Sequence, residues 1–356
     1  MLSFLIAAFI AFVASVVAIA SVRPIAPHFS LVDKPGGRKL HEAEVPVVGG
    51  LGIFLGLFVA VGFLPPEARP PPQFVTICAI FVIVGLADDR FGLSPWFRLL
   101  VQIGCVFWLT LDPGLSARYL GDLVGDGPVI LQDLPAILLT AILVAGGANA
   151  FNMVDGIDGL AGSLGLVAMT SLAHVSVTSG LALPFGVAVA TIGSLIAFLL
   201  FNFPLKLNRS IRCFMGDAGS LLLGFVIAWL MLTVSQSPDA TMDPVLLLFL
   251  VSVPIYDLVW VFGSRLLNGL SPFKADNSHL HHILLRAGAS HLRALMVLVF
   301  LALAFAGTGF LLSTLKIPSS LSLIVFSLCG VSCIVLVKSA KFWLPFARSP
   351  HVTEQK

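Results

Sequence analysis

Long apolar runs, separated by short polar connections, recur along the whole chain. They lie near 2–22, 46–64, 73–87, 98–111, 135–150, 158–178, 182–202, 220–236, 244–262, 292–313 and 318–338. A membrane-crossing helix needs about 20 mainly apolar residues, and these eleven runs reach or approach that length. The pattern predicts an all-α polytopic membrane protein, a bundle of about 11 transmembrane helices forming one integral-membrane domain over residues 1–356. The fourth and fifth runs have the least distinct boundaries. The first lacks a basic leader and an obvious cleavage site, so it reads as a retained anchor. No soluble domain, internal repeat or low-complexity tail stands out.

Composition agrees with this pattern. Of the 356 residues, 58% are hydrophobic and 11% charged, against roughly 25% charged in a soluble domain. The mean hydropathy is +1.03. So much apolar surface needs a bilayer as solvent. A net charge of only +2 gives no support for a nucleic-acid partner. The five cysteines, Cys78, Cys105, Cys213, Cys329 and Cys333, form no CxxC pair and read as packing residues.

Charge sets the orientation. With eleven spans, 17 of the 20 Lys and Arg fall on one side, and only Arg69, Arg118 and Lys316 on the other. The positive-inside rule then places the N-terminus outside and the C-terminus in the cytoplasm. Asp112, Asp122, Asp126, Asp133, Asp239 and Asp243 fall in the outer connections and read as solvated loop charges.

A different polar set gathers on the cytoplasmic side. Asp88 and Asp89 close the third span in GLADDR. Asn149, Asn152, Asp155 and Asp158 lie in NAFNMVDGIDGLAG, Asp217 in FMGDAGS, and His279, His281 and His282 in SHLHHILLRAG. Ionisable residues at membrane depth are costly and point to function. The polar residues of 149–158 recur every three positions. In a regular helix that ridge drifts by about 60° per step, so the segment is tightened, broken or facing a polar cavity. A helix cap accounts for one aspartate there, not for two asparagines and two aspartates. Adjacent carboxylates at a helix C-terminus oppose the dipole and each other; Arg90, a divalent cation or a bound substrate would offset them. Asp217 follows a glycine and suits a helix cap or a hard-cation ligand. Clustered acidic groups with oxygen donors suit Mg²⁺, which shares its shell with substrate phosphate, with Mn²⁺ as a substitute. The histidines match no zinc pattern and read as an anion-facing segment with Arg286 and Arg293. Asp257 could pair with Arg265 or join the site. Together these features suit phosphoryl transfer between a soluble and a lipid-borne phosphate.

These motifs, in this order, together with VDKPGGRKLHEAEVPVVGG at 32–50, resemble the polyprenyl-phosphate N-acetylhexosamine-1-phosphate transferases. The resemblance covers most of the chain. The HLHH form and its SPF lead-in resemble the WecA-like branch, which starts O-antigen and common-antigen synthesis, rather than the related MraY branch of peptidoglycan synthesis. The resemblance implies transfer of GlcNAc 1-phosphate, or of the QuiNAc, FucNAc or GalNAc counterpart, from a UDP-sugar to undecaprenyl phosphate, with UMP released. It implies that Asp217 and Asn152 bind the metal, and that Asp158 contacts uracil. Asp88 and Asp89 go to the lipid phosphate and catalysis, and Arg98 to a phosphate. His279, His281 and His282 go to the pyrophosphate side. Asp155 joins the catalytic set, and Asn149, Arg265, Lys34, Arg38 and His41 the substrate-binding set. The resemblance also implies a bacterial inner membrane, with the N-terminus periplasmic. Such a bundle is compatible with a homodimer. The FKADN stretch and the loop 205–213 depart from the family pattern, in regions suited to selecting the sugar.

Two other classes compete. A secondary transporter would bind an anion at glycine-broken helices near midplane, whereas these acidic groups sit at one face and no repeat is seen. Tyr256-Asp257 suggests an aspartyl protease, but the glycine-aspartate element MGD at 215–217 precedes it.

Overall fold

The computed structural model describes residues 1–33, 44–204, 211–271 and 278–344. The helices in chain order are α1 (Leu2–Val22), α2 (Gly49–Val61), α3 (Pro72–Phe91), α4 (Pro95–Leu109), α5 (Asp133–Val154), α6 (Leu160–Thr178) and α7 (Ala182–Asn202). There follow α8 (Gly216–Ser235), α9 (Pro244–Leu247), α10 (Ser252–Leu267), α11 (Leu280–Arg286), α12 (His291–Thr314), α13 (Ser319–Lys338) and α14 (Ala340–Trp343). Helices therefore stand at all eleven predicted positions. Among the described residues, eight stretches are long and apolar enough to cross a membrane: α1, α5, α6, α7, α8, Pro244–Leu267, α12 and α13. The molecule is a polytopic helical membrane protein.

Local chemistry sets several boundaries. Proline opens α3, α4 and α9, where its missing N–H is no loss. The Ser290 hydroxyl accepts from the Arg293 N–H and caps α12. Two boundaries shift in ways that matter. α8 begins at Gly216, four residues before the predicted start, so Asp217 lies inside its first turn. The predicted run 244–262 is interrupted by a 3₁₀ turn at Leu248–Val251 and continues to Leu267, which carries Arg265 within a helix.

α8 is the axis of the bundle. Its most apolar window is 89% buried, against 22% for α1 and 28% for α13, which leaves the latter two at the lipid-facing rim. α8 packs on α3, α5 and α2, while α1 packs on α7 and α2. Small residues make the central contacts possible. A Cβ at Gly50 would lie 2.7 Å from the Ala218 carbonyl carbon, and one at Gly85 would lie 2.6 Å from the Asp217 carbonyl carbon. The start of α8 is thus clamped by the backbones of α2 and α3. A short ribbon of β1 (Val32–Asp33) and β2 (Val45–Pro46) lies at the same end, and Val47 bridges to Phe214.

Candidate active site

The C-terminal turn of α3, the start of α4, the C-terminal end of α5 and the first turn of α8 meet at one end of the bundle. The Arg98 guanidinium pairs with Asp88 and also reaches Asp217 Oδ2 at 3.3 Å. The Leu93 N–H donates to Asp88 Oδ1 at 2.6 Å. Asn152 Nδ2 donates to Asp217 Oδ1 at 2.5 Å and to Ser220 Oγ at 3.0 Å. One continuous network therefore runs from Asp88 through Arg98 and Asp217 to Asn152 and Ser220. It joins residues separated by up to 119 positions.

Asp89 has a separate task. Its carboxylate accepts from the N–H groups of Asp217 at 2.9 Å and Ala218 at 3.3 Å. An anion is favoured there, because the first N–H groups of a helix lack partners and the dipole is positive. Asp89 thus caps α8 from another helix, and Asp217, freed from capping, keeps a side chain 31% exposed. Gly216 makes this approach possible. Its φ is +70°, and an added Cβ would lie 2.6 Å from Asp89 Oδ2.

Of the outcomes left open by the three-residue polar ridge (tightened, broken or facing a polar cavity), the structure shows a break after Val154. α5 ends at Val154, and α6 begins at Leu160 after Gly159 at φ +78°. Asp155 and Asp158 lie in this break. Burial, then repulsion from Asp89 and Asp158, raises the Asp155 carboxyl to about 7. Asp158 pairs with Arg212, whose guanidinium also stacks 5.1 Å from the Phe214 ring centre. Asn202 ties the break down: its Oδ1 accepts from the Gly159 N–H at 2.7 Å, and its Nδ2 donates to the Cys213 carbonyl at 2.9 Å. Asn149 points to α4, donating to Gln102 Oε1 at 2.9 Å.

The histidines approach the same break. His281 is buried beside Gly156, whose added Cβ would lie 2.5 Å from His281 Cε1. His281 Nε2 has no hydrogen-bond partner among the described residues, and neither has the buried Nε of Arg98. Burial and the neighbouring His282, His279 and His291 hold His281 well below its ordinary pKa, which disfavours its charged form. The oxygens of Asp257 go to His279 Nδ1 at 2.8 Å and to the Leu280 N–H at 2.7 Å. Arg265 is buried in α10. Lys34, Arg38 and His41 lie outside the described residues.

Among the described residues, five carboxylates (Asp88, Asp89, Asp155, Asp158 and Asp217) thus gather with two guanidinium groups, Arg98 and Arg212. The excess is negative and rich in oxygen donors. Among the described residues, no group of three His, Cys, Asp or Glu side chains closes into a metal cage. Asp217 and Asn152 carry the oxygen donors that could hold a hard cation such as Mg²⁺ there. Sequence reasoning missed Arg212, Asn202, Gln102 and Ser220, since nothing in their local pattern marks which distant segment they touch.

The glycosyl transferase family 4 profile matches residues 72–235. The undecaprenyl-phosphate alpha-N-acetylglucosaminyl 1-phosphate transferase of Salmonella typhi is 34% identical over 288 residues, covering 81% of this chain and 78% of the relative. The chain belongs to this family. Proteins of the same name from Yersinia pestis (36% over 291 residues, covering 81% and 78%) and Haemophilus influenzae (31% over 304 residues, covering 85% of each) are similar to it as well. The family 4 region runs from the first residue of α3 to the last of α8. It therefore holds the aspartates, Asn149, Asn152 and Arg98, while the histidines of α11 lie beyond it.

Proposed function

We propose that the chain transfers N-acetylglucosamine 1-phosphate from UDP-GlcNAc to undecaprenyl phosphate, releasing UMP, as the first membrane step of a cell-envelope polysaccharide. The names of the relatives support the acceptor and the sugar. The observation that carries the reading is structural: motifs up to 129 residues apart converge on one acidic, arginine-bridged end of the bundle. Among the described residues, four buried nitrogens are left unpartnered there, Arg98 Nε, Gln102 Nε2, Arg212 Nε and His281 Nε2, as a site awaiting an anionic ligand would leave them.

In the reaction, an oxygen of the lipid phosphate attacks the phosphorus that carries the sugar. The bond from that phosphorus to the bridging oxygen breaks, and the oxygen leaves with UMP. One phosphoanhydride replaces another, so the reaction is readily reversible. A lipid phosphate has a second pKa near 6, so it is largely ionised at pH 7 and needs little activation. Positioning and charge neutralisation then carry the catalysis. Asp217 and Asn152 would hold Mg²⁺, which supplies charge neutralisation to the diphosphate. Asp88 and Arg98 sit beside that group and orient the acceptor phosphate. Asp89 fixes the start of α8. Asp158 exchanges its pairing with Arg212 for the base of the nucleotide. The histidines flank the diphosphate.

The charge distribution supports eleven spans, with the site facing the cytoplasm of a bacterial inner membrane. The test is direct. Purified protein is incubated with undecaprenyl phosphate and Mg²⁺ and a panel of UDP-GlcNAc, UDP-GalNAc, UDP-QuiNAc and UDP-FucNAc, and UMP release is measured. Release with UDP-GlcNAc is expected. Release with none of the four, together with solute movement in liposomes, would overturn the reading in favour of a transporter.

A further inference from the structure

The Asp257 carboxylate is 1% exposed, in a helix of a membrane bundle. Burying a carboxylate there is unfavourable unless it is fully paired. Its partners come from a separate segment, 22 and 23 residues along the chain. One is the ring of His279, whose side chain is 12% exposed, and the other is the first backbone N–H of α11. A third tie joins the same two elements: Trp260 Nε1 donates to the Ser278 carbonyl at 3.1 Å. The start of the histidine segment is therefore held on α10 by a carboxylate and an indole.

A carboxylate only accepts hydrogen bonds, so the proton of a neutral His279 lies on Nδ1. The free lone pair, or the second proton of the imidazolium, is then on Nε2, on the side of the ring turned away from Asp257. The His279 ring stacks on His281, with centroids 5.7 Å apart and planes 13° apart, and His281 rests on Gly156 in the α5–α6 break. Fixing His279 therefore also fixes the face that α11 turns towards the acidic cluster.

We propose that Asp257 is a positioning residue of the transferase site: it sets the tautomer and orientation of His279 and does not itself touch substrate. The proposal rests on the reading of the chain as a sugar-phosphate transferase, and no bond is made or broken at Asp257. Carboxylates that orient metal-ligating histidines, when removed, commonly lower function by about 10–100-fold, and an effect of that order is expected for a carboxylate that orients His279.

The test is a double-mutant cycle in purified enzyme, following UMP release from UDP-GlcNAc. Asp257→Asn should lower kcat by about 10–100-fold, with KM for UDP-GlcNAc changed less than about twofold. Asp257→Asn in a His279→Ala background should lower activity no further than His279→Ala alone. Losses that multiply would overturn the proposal, because a purely structural role adds its effect whatever occupies position 279. A second measurement needs no variant of Asp257. In ¹⁵N-histidine-labelled wild-type protein, with the His279 signals assigned through His279→Ala, the neutral ring should carry its proton on Nδ1. A neutral ring protonated on Nε2 would overturn the proposal even in a preparation that releases no UMP. That outcome is distinct from failure of the transferase reading, which shows as absent UMP release with the Nδ1–H tautomer present.

Discussion

The two ends of this bundle use the same residue type in different ways. At the end away from the site, Asp112 and Asp122 serve their own turns, while Asp243 accepts from the Ser319 hydroxyl at 2.7 Å. Asp112 accepts from the Gly114 N–H at 3.0 Å and Asp122 from the Gly125 N–H at 2.6 Å. Asp133 is 89% exposed and 3.7 Å from Arg118, and an exposed pair of this kind contributes little. At the site end, Asp89 and Asp217 take partners from other helices. Asp89 binds groups 128 and 129 residues away, and Asp217 binds Asn152 across 65. A turn aspartate can be replaced by any residue that tolerates the turn. An aspartate that organises three helices in a poorly solvated place cannot.

The largest break in that comparison is expected at Asp217. Asp217→Asn should lower kcat by about 10²–10³-fold, the usual effect of removing one preorganised electrostatic group, and should flatten the dependence on Mg²⁺. UMP release across a Mg²⁺ titration checks this, and an unaltered titration would reject the metal assignment. Next comes Asp158→Ala, which should raise KM for the UDP-sugar by about tenfold, equivalent to about 1.4 kcal/mol, with kcat within about threefold. Initial rates against UDP-GlcNAc concentration decide it.

A pH experiment sharpens the contrast further. The Asp155 carboxyl stands at about 7, above its ordinary 3.8. An acid raised on folding contributes stability that is fully present below the ordinary value and is lost as pH rises through the folded-state value. Asp155→Asn keeps the neutral shape at every pH. In metal-free buffer the variant should therefore gain on the wild type between pH 6 and pH 8, by roughly 3 °C in Tm. A constant difference over that range would show that Asp155 is not held up by its surroundings. The smallest effect belongs to the end away from the site. Asp122→Ala should leave UMP release within about twofold and move Tm by less than about 2 °C, read in the same assays.

Much of the molecule was legible along the chain. Runs of about 20 apolar residues announce helices, because a backbone in lipid must satisfy its own hydrogen bonds. The three-residue ridge of Asn149, Asn152, Asp155 and Asp158 announced an irregular or cavity-facing segment, and the structure breaks the helix between Val154 and Leu160. What stayed hidden was pairing. Asp88 and Asp89 are adjacent in sequence and read as one pair. The fold separates them, sending Asp88 to Arg98 and Asp89 to the start of α8. Asp257 could have taken Arg265 on its own helix, yet its oxygens go to His279 and Leu280. Arg212 lay in a loop that stood out only as divergent, and its pairing with Asp158 depends on where Asn202 ties that loop.

By itself the sequence determined that this chain lives in a bilayer, where its helices run, and which polar residues are too costly at membrane depth to lack a purpose. Those properties depend on local composition and period. Only the tertiary structure decided which carboxylate caps a helix, which is left open beside Arg98 and Asn152, and which buried acid holds a histidine. Such choices depend on backbones coming close enough to touch, as α2 and α3 do at Gly50 and Gly85 around the start of α8. The aspartates were visible from the start as a group, but their separate tasks arise from helix packing.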